Sequence, residues 1–238
     1  PHAGPRAPPG ETGKIMAVET QEERSDEAGR RLRLDRFMPL AALCAAAAVG
    51  AYLYGDLWIT QFLQRFKDPY FHWLMVAVSW PGYQGRQWIV AVCVAALLLR
   101  YGLRIEAACL LISLGSSLVL ANVIKLIVAR TRPSPDLVDV YLLHSTMSFP
   151  SGHVLSYMVF FGFLFYLVHT LIGRSALRSA LLVILGVLIG LVGLSRVYLG
   201  AHWASDALAA YSLGLLCLAL MIRLHWRLKS RRISAGED

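Results

Sequence analysis

Three short groups of residues in this chain have types and spacings able to bind an anion or move a proton. Lys125 is followed by Arg130, Thr131, Arg132 and Pro133; Pro150, Ser151, Gly152 and His153 come next; Ser195 and Arg196 precede His202 and Asp206. Each group borders a long apolar run, where an ionisable side chain costs several kcal/mol unless it is paired or lines a wet cavity, so each is a functional candidate. Lys125 and Arg132, seven residues apart, are expected on one helix face about 10 Å apart along the axis, close enough for their long side chains to meet one anion. Pro133 marks the exit from that helix. Cations anchoring a helix end by snorkelling are the alternative.

Ser151 reads as an N-cap, and Gly152 at the first helical position leaves the free N–H groups open to an anion. A capping serine alone is an ordinary structural feature, but His153 adds a group able to hand over a proton at neutral pH. His202 and Asp206 stand at i and i+4. On a helix the carboxylate would accept the Nδ1–H and leave the other ring nitrogen free, although a lone pair of this kind also reads as a satisfied polar contact. Arg196 is expected on the same connection as this pair. Together the groups offer three cations, a backbone anion nest, one acid and one supported imidazole, a set suited to phosphoryl transfer. Lys125, Arg132 and Arg196 would stabilise the equatorial oxygens. His202 would attack phosphorus and His153 would protonate the leaving oxygen. Asp136 and Asp139 are expected as solvated loop residues rather than Mg²⁺ ligands, so the reaction reads as metal-independent and without a cofactor.

The elements that must position these groups are membrane helices. Of 238 residues, 57% are hydrophobic and 16% charged, and the mean hydropathy is +0.55, which excludes soluble globular, disordered, collagen-like and disulfide-stapled classes. Apolar runs at 37–55, 107–124, 154–173, 179–195 and 207–222 are each near the length a bilayer core of about 30 Å requires. The stretch 69–99 is interrupted by Pro81, Gly82, Gly85 and Arg86. It is read as a surface helix over 70–80 and a sixth span over 84–101. The net charge of +8 would suggest nucleic acid in a soluble protein, but its placement points to a membrane. With six spans, 16 of the 23 basic residues fall on one side, so both termini are expected in the cytoplasm and the three groups at the outer mouth.

Residues 1–36 are expected to be a disordered cytoplasmic segment, 37–223 the six-span domain, and 224–238 a basic cytoplasmic tail. Met16 is the expected start, and the first apolar run is read as a retained span rather than a signal peptide. Cys44, Cys93, Cys109 and Cys217 lie in spans without metal-ligand spacing and are read as packing residues.

Lys125 with six residues before Arg132-Pro133, then Pro150-Ser151-Gly152-His153, then Ser195-Arg196 with five residues before His202 and three before Asp206, closely resemble the tripartite signature of the type 2 phosphatidic acid phosphatase (PAP2) superfamily. The resemblance covers Lys125 to Asp206; the first hundred residues match only in general layout. It implies an all-α, six-helix membrane phosphatase with an extracytoplasmic site. It further implies His202 as nucleophile, Asp206 as its orienting group, His153 as acid, and phosphate binding by Lys125, Arg132, Ser151, Gly152 and Arg196. The soluble vanadate-dependent haloperoxidases of that superfamily are disfavoured by the spans.

A site at the membrane mouth favours a lipid head group. Within the family the candidates are undecaprenyl diphosphate, phosphatidylglycerol phosphate, phosphatidic acid and lipid A phosphate, and Arg65, Lys67 and Arg86 could recognise further phosphates or simply meet lipid. The expected localisation is a bacterial plasma membrane, with the bilayer and a lipid phosphate as partners and no nucleic acid. A phosphotransferase passing the group from His202 to another acceptor is the rival within the same site. A channel is the rival from another class, but it would place charges at several depths in the spans, which His169 alone does.

Overall fold

Lipid offers the backbone no hydrogen-bonding partner, so apolar runs of this length fold as helices that satisfy their own N–H and C=O groups. The computed structural model describes residues 37–83, 85–143 and 145–234. Residues 1–36, with Met16, lie outside the described residues, as do Gln84, His144 and the last four positions. In chain order the helices are α1 (Phe37–Tyr54), α2 (Asp56–Leu63), α3 (Pro69–Ser79), α4 (Arg86–Arg100) and α5 (Arg104–Val128). They continue with α6 (Gly152–Leu171), α7 (Ala176–Tyr198) and α8 (Ala204–Ser234). No strand occurs among the described residues.

Local chemistry sets several boundaries. Asp68 caps α3 by accepting from Phe71 N at 2.8 Å, with Pro69 at the first helical position. Ser175 caps α7 by accepting from Arg178 N. A π-helical turn, Tyr157–Phe161, interrupts α6 just beyond His153, a distortion that often accompanies a functional site.

Among the described residues five helices are long and apolar enough to cross a membrane: α1, α5, α6, α7 and α8. The expected sixth span is not confirmed as a single helix. Helix α4 has 15 residues and is about 22 Å long, short of the roughly 30 Å core. It reaches span length only together with α3 and the Trp80–Gly82 turn, across a bend of 61°. The break falls between Gly82 and Arg86, where Gly85 has a φ of 75°, within the stretch that is ambiguous in the sequence. Helix α2 was not anticipated, and α8 continues to Ser234, so residues 224–234 of the expected tail are helical.

Helix α6 is the most buried span and packs against α5, α7 and α8, while α8 also lies along α1 and α3 lies against α7. Small residues permit this closeness. A Cβ on Gly214 would come within 2.6 Å of Met158, and one on Gly162 within 2.8 Å of Leu218. Large apolar side chains such as Leu43, Ile89, Val119, Leu126 and Val183 point outward and exposed, as a lipid-facing surface requires. The chain is an integral membrane protein.

The alternating helix directions gather the ends of α1, α5 and α7 and the starts of α6 and α8 at one end of the bundle. Buried Asp56, Ser148, Ser151, Arg196, His202, Ser205 and Asp206 lie there. At the opposite end a third buried carboxylate, Glu106, is paired with His225 at 3.3 Å and Lys229 at 3.2 Å. Arg100, Arg104, Arg174, Arg178 and the basic end of α8 belong to that end too.

Candidate active site

Helix α5 carries Lys125 in its last turn and stops at Val128; Ala129 takes the left-handed conformation (φ 49°), its N–H donating to Lys125 O at 3.0 Å. Arg132 is therefore beyond the helix, and the expected shared helix face is corrected. Arg132 is instead tied to the site by backbone carbonyls: Nε donates to Thr146 O at 2.7 Å and Nη1 to Ala201 O at 2.5 Å. Lys125 Nζ donates to Met147 O at 2.5 Å, so both cations converge on the segment preceding Pro150. Burial, and then the Arg196 charge, push the Arg132 guanidinium down to about 10, which leaves it charged at neutral pH.

Ser151 occupies the N-cap position of α6, but its side chain caps nothing. Its Oγ is buried and has no hydrogen-bond partner among the described residues, and a buried hydroxyl in that state calls for an explanation. The backbone N–H of Ser151 donates to Asp206 O at 3.3 Å. A Cβ on Gly152 would lie 4.0 Å from Lys125 Cε, so the first turn of α6 and the lysine face each other. His153 follows in that turn, its ring 5.0 Å from that of Tyr83.

Ser195 and Arg196 lie in the last turn of α7, not on the connection as expected. Arg196 is fully buried and donates from Nη1 to Tyr83 Oη at 2.6 Å. Gly200, at φ 65°, turns the chain toward α8; a Cβ there would stand 2.2 Å from Asp139 O, so only glycine fits. His202 sits in this turn, ahead of α8, and Asp206 in the first turn of α8. The two do not share a helix. Even so, His202 Nδ1 is 3.7 Å from Asp206 Oδ2, within ion-pair range but longer than a hydrogen bond. On its other side, His202 Nε2 is 3.2 Å from Arg132 Nη1.

Asp206 is held by closer donors: Ser148 Oγ, Trp203 N at 3.0 Å and Arg130 Nη1 at 2.6 Å. Arg130 also reaches Asp56 Oδ2 at 2.6 Å, and Asp56 accepts from Ser205 N at 2.8 Å and Ser205 Oγ at 2.6 Å. Asp56, Arg130 and Asp206 thus form a carboxylate–guanidinium–carboxylate chain beneath the imidazole. Sequence reasoning missed Asp56 and gave Arg130 no role. The signal for Asp56 was present, since it is an acid directly after an apolar run and meets the same membrane-cost criterion as the other groups. For Tyr83 and Ser148 no sequence signal exists.

Of the eight residues singled out in the sequence, the contacts join Arg132 directly to His202, Lys125 to the Gly152 turn, Ser151 to Asp206, and Arg196 with His153 through Tyr83. Arg86 stacks on Trp80 with its guanidinium carbon 4.5 Å from the ring centroid. Lys67, with His72, Trp73 and Tyr141, lines a separate cavity of about 570 Å³ that none of the eight residues lines. A basic, largely dehydrated cup around one imidazole can stabilise the charge of a phosphoryl group in transfer.

The chain is similar in sequence and fold to known proteins. The chain is 29% identical over 187 residues to phosphatidylglycerophosphatase B of Bacillus subtilis, covering 78% of this chain and 90% of the relative. It is 33% identical over 135 residues to an undecaprenyl-diphosphatase of Sulfolobus acidocaldarius, covering 55% and 60%. Its fold matches the crystal structure of a transmembrane PAP2-type phosphatidylglycerolphosphate phosphatase from Bacillus subtilis with a TM-score of 0.69 at 27% identity, over 82% of this chain and 97% of that one. Aquifex aeolicus LpxE shares the fold at a TM-score of 0.55 and 20% identity, over 71% and 94%. The PAP2 superfamily profile matches residues 106–230, from the buried Glu106 through all three polar groups and most of α8. With more than half its length matched, and with basic, serine and histidine groups from separate helices meeting at one end of a helical bundle, the chain belongs to the PAP2 superfamily and is a membrane-embedded phosphoric ester hydrolase.

Proposed function

We propose that the protein removes phosphate from a lipid phosphate or diphosphate at the extracytoplasmic face of the membrane, through a phosphohistidine at His202. The observation that carries this reading is the contact of Arg132 Nη1 with His202 Nε2 at 3.2 Å, in a cup to which α5, α6, α7 and α8 all contribute. The lone pair of Nε2 attacks phosphorus as the bond to the leaving oxygen breaks, and His153 supplies that oxygen with a proton. On substrate binding Arg132 exchanges the ring nitrogen for a phosphoryl oxygen, while Lys125, Arg196, the Ser151 hydroxyl and the Gly152 N–H take the others. His153, now a base, then accepts a proton from water; the resulting hydroxide attacks phosphorus, the P–N bond breaks, and its electron pair returns to Nε2. Both carboxylates beneath the imidazole are engaged by Arg130, and Asp206 stabilises the cation that forms on His202 when it is phosphorylated.

The bundle's basic residues support the orientation. Arg100, Arg104, Arg174, Arg178 and the α8 end cluster away from the site, which fits a cytoplasmic location for that end, with both termini there, and an outward-facing site. The residues 37–223 act as the catalytic domain. Phosphatidylglycerol phosphate and a polyprenyl diphosphate, by likeness to the named relatives, are the substrate classes of choice.

The test is turnover of purified protein in detergent on lipid mono- and diphosphates with a ³²P label. An acid-labile, base-stable phosphoenzyme should form in the wild type and be absent in His202→Ala, which should lose at least about 10³-fold in kcat while remaining folded. Retention of full activity by that variant removes the nucleophile assignment. Label appearing in a second lipid rather than as inorganic phosphate would identify a phosphotransferase.

A further inference from the structure

The loop between α3 and α4 brings to the site a side chain that belongs to none of the three motifs. Tyr83 Oη accepts from Arg196 Nη1 at 2.6 Å, and the Arg196 guanidinium carbon lies 5.1 Å from the Tyr83 ring centroid. The same ring meets His153 edge-on at 5.0 Å. The adjoining backbone is pressed against His153 as well: a Cβ on Gly82 would stand 2.3 Å from its Cδ2 and 2.8 Å from its Nε2. One phenol therefore touches a phosphate-binding cation of α7 and the acid of α6. In accepting from Arg196, Tyr83 keeps its own O–H as a possible donor, and no hydrogen bond donated by it is found among the described residues.

We infer that Tyr83 donates a hydrogen bond to the leaving side of the substrate and biases the enzyme toward diphosphates over monoesters. This rests on the assignment of His153 as the acid, because a group packed against the acid lies beside the departing oxygen rather than behind the transferred phosphoryl group. In a monoester that departing group is an alcohol with one oxygen, which the His153 proton already serves. In a diphosphate it is a phosphate, whose further anionic oxygens accept additional hydrogen bonds. A phenol that is itself polarised by a guanidinium is a strong donor for such an oxygen.

The experiment compares wild type and Tyr83→Phe on a matched pair with one chain, farnesyl diphosphate and farnesyl monophosphate, measuring kcat and KM for each. Loss of the Arg196 contact lowers both rates. Loss of the donor lowers the diphosphate alone, so the ratio of kcat/KM values, diphosphate over monophosphate, should fall by about ten-fold or more, the effect of one hydrogen bond to a charged oxygen. A ratio unchanged within about two-fold overturns the inference and leaves Tyr83 a support for Arg196. Inhibition by inorganic diphosphate and by inorganic phosphate gives the same answer if turnover is too slow to measure: the diphosphate should weaken by about ten-fold more than the phosphate in the variant, and equal weakening overturns the inference. His153→Ala on the same pair tests the parent assignment separately. Full activity there on both substrates removes the acid role whatever Tyr83 does.

Discussion

Arg130 lies between two carboxylates that have little other access to solvent, and its removal should expose how strongly the three charges depend on each other. Its guanidinium donates to Asp56 and to Asp206 at 2.6 Å each, with side-chain exposures of 19% for Arg130, 10% for Asp56 and 0% for Asp206. Opposite charges about 4 Å apart attract by about 4 kcal/mol at an effective dielectric of 20, and removing one partner of a buried pair commonly costs about 3–5 kcal/mol because the other is left uncompensated. Arg130→Met should therefore destabilise the fold by about 3–5 kcal/mol. Asp56→Asn should cost a comparable amount, since an amide N–H₂ would face either the guanidinium or the Ser205 N–H and hydroxyl. In the double variant one buried negative charge and the lone positive charge disappear together, so the loss should be smaller than the sum of the singles by at least about 2 kcal/mol. Denaturant titration in detergent micelles, followed by tryptophan fluorescence, measures all four corners of the cycle. Additivity within about 0.5 kcal/mol would refute the coupling. The same variants should lose kcat with little change in KM, because in the proposed mechanism Asp206 supports the imidazolium rather than binding substrate.

Orthovanadate, a mimic of five-coordinate phosphorus, should inhibit competitively with lipid phosphate, whereas EDTA should leave turnover unchanged; strong loss of activity on chelation would contradict the direct attack by His202. Gly82→Ala should lower kcat by about ten-fold or more, because the added methyl would occupy space held by the His153 ring and overpacking of this kind costs about 1–3 kcal/mol. Single-turnover phosphate release reads that step, and an unchanged rate would show that the loop yields without moving the acid.

Much of the molecule was legible along the chain. Uninterrupted apolar stretches specify membrane helices because the bilayer leaves the backbone no other way to satisfy itself, and the expense of a charge at a helix end singled out Lys125, Arg132, His153, Arg196, His202 and Asp206 before any geometry was known. Local expectations failed where one turn of backbone decided the outcome. Ala129 ends α5 before Arg132, Gly200 turns the chain before His202, and the bend after Gly82 leaves α4 too short to cross alone. None of these changes the residue types present; each changes where they point.

What only the tertiary structure decided is the set of partners around those groups. Asp56 meets Ser205 across 149 positions, Tyr83 meets Arg196 across 113, and Arg130 meets Asp56 across 74. Local spacing carries no trace of such pairs, because they arise from which helix ends the packing of α1, α3, α7 and α8 places side by side. The sequence alone determined that a basic, histidine-containing cluster would lie at one end of a membrane bundle. The packing determined which acid holds Arg130, which hydroxyl meets Arg196, and that Asp206, beside His202, is anchored from three other directions.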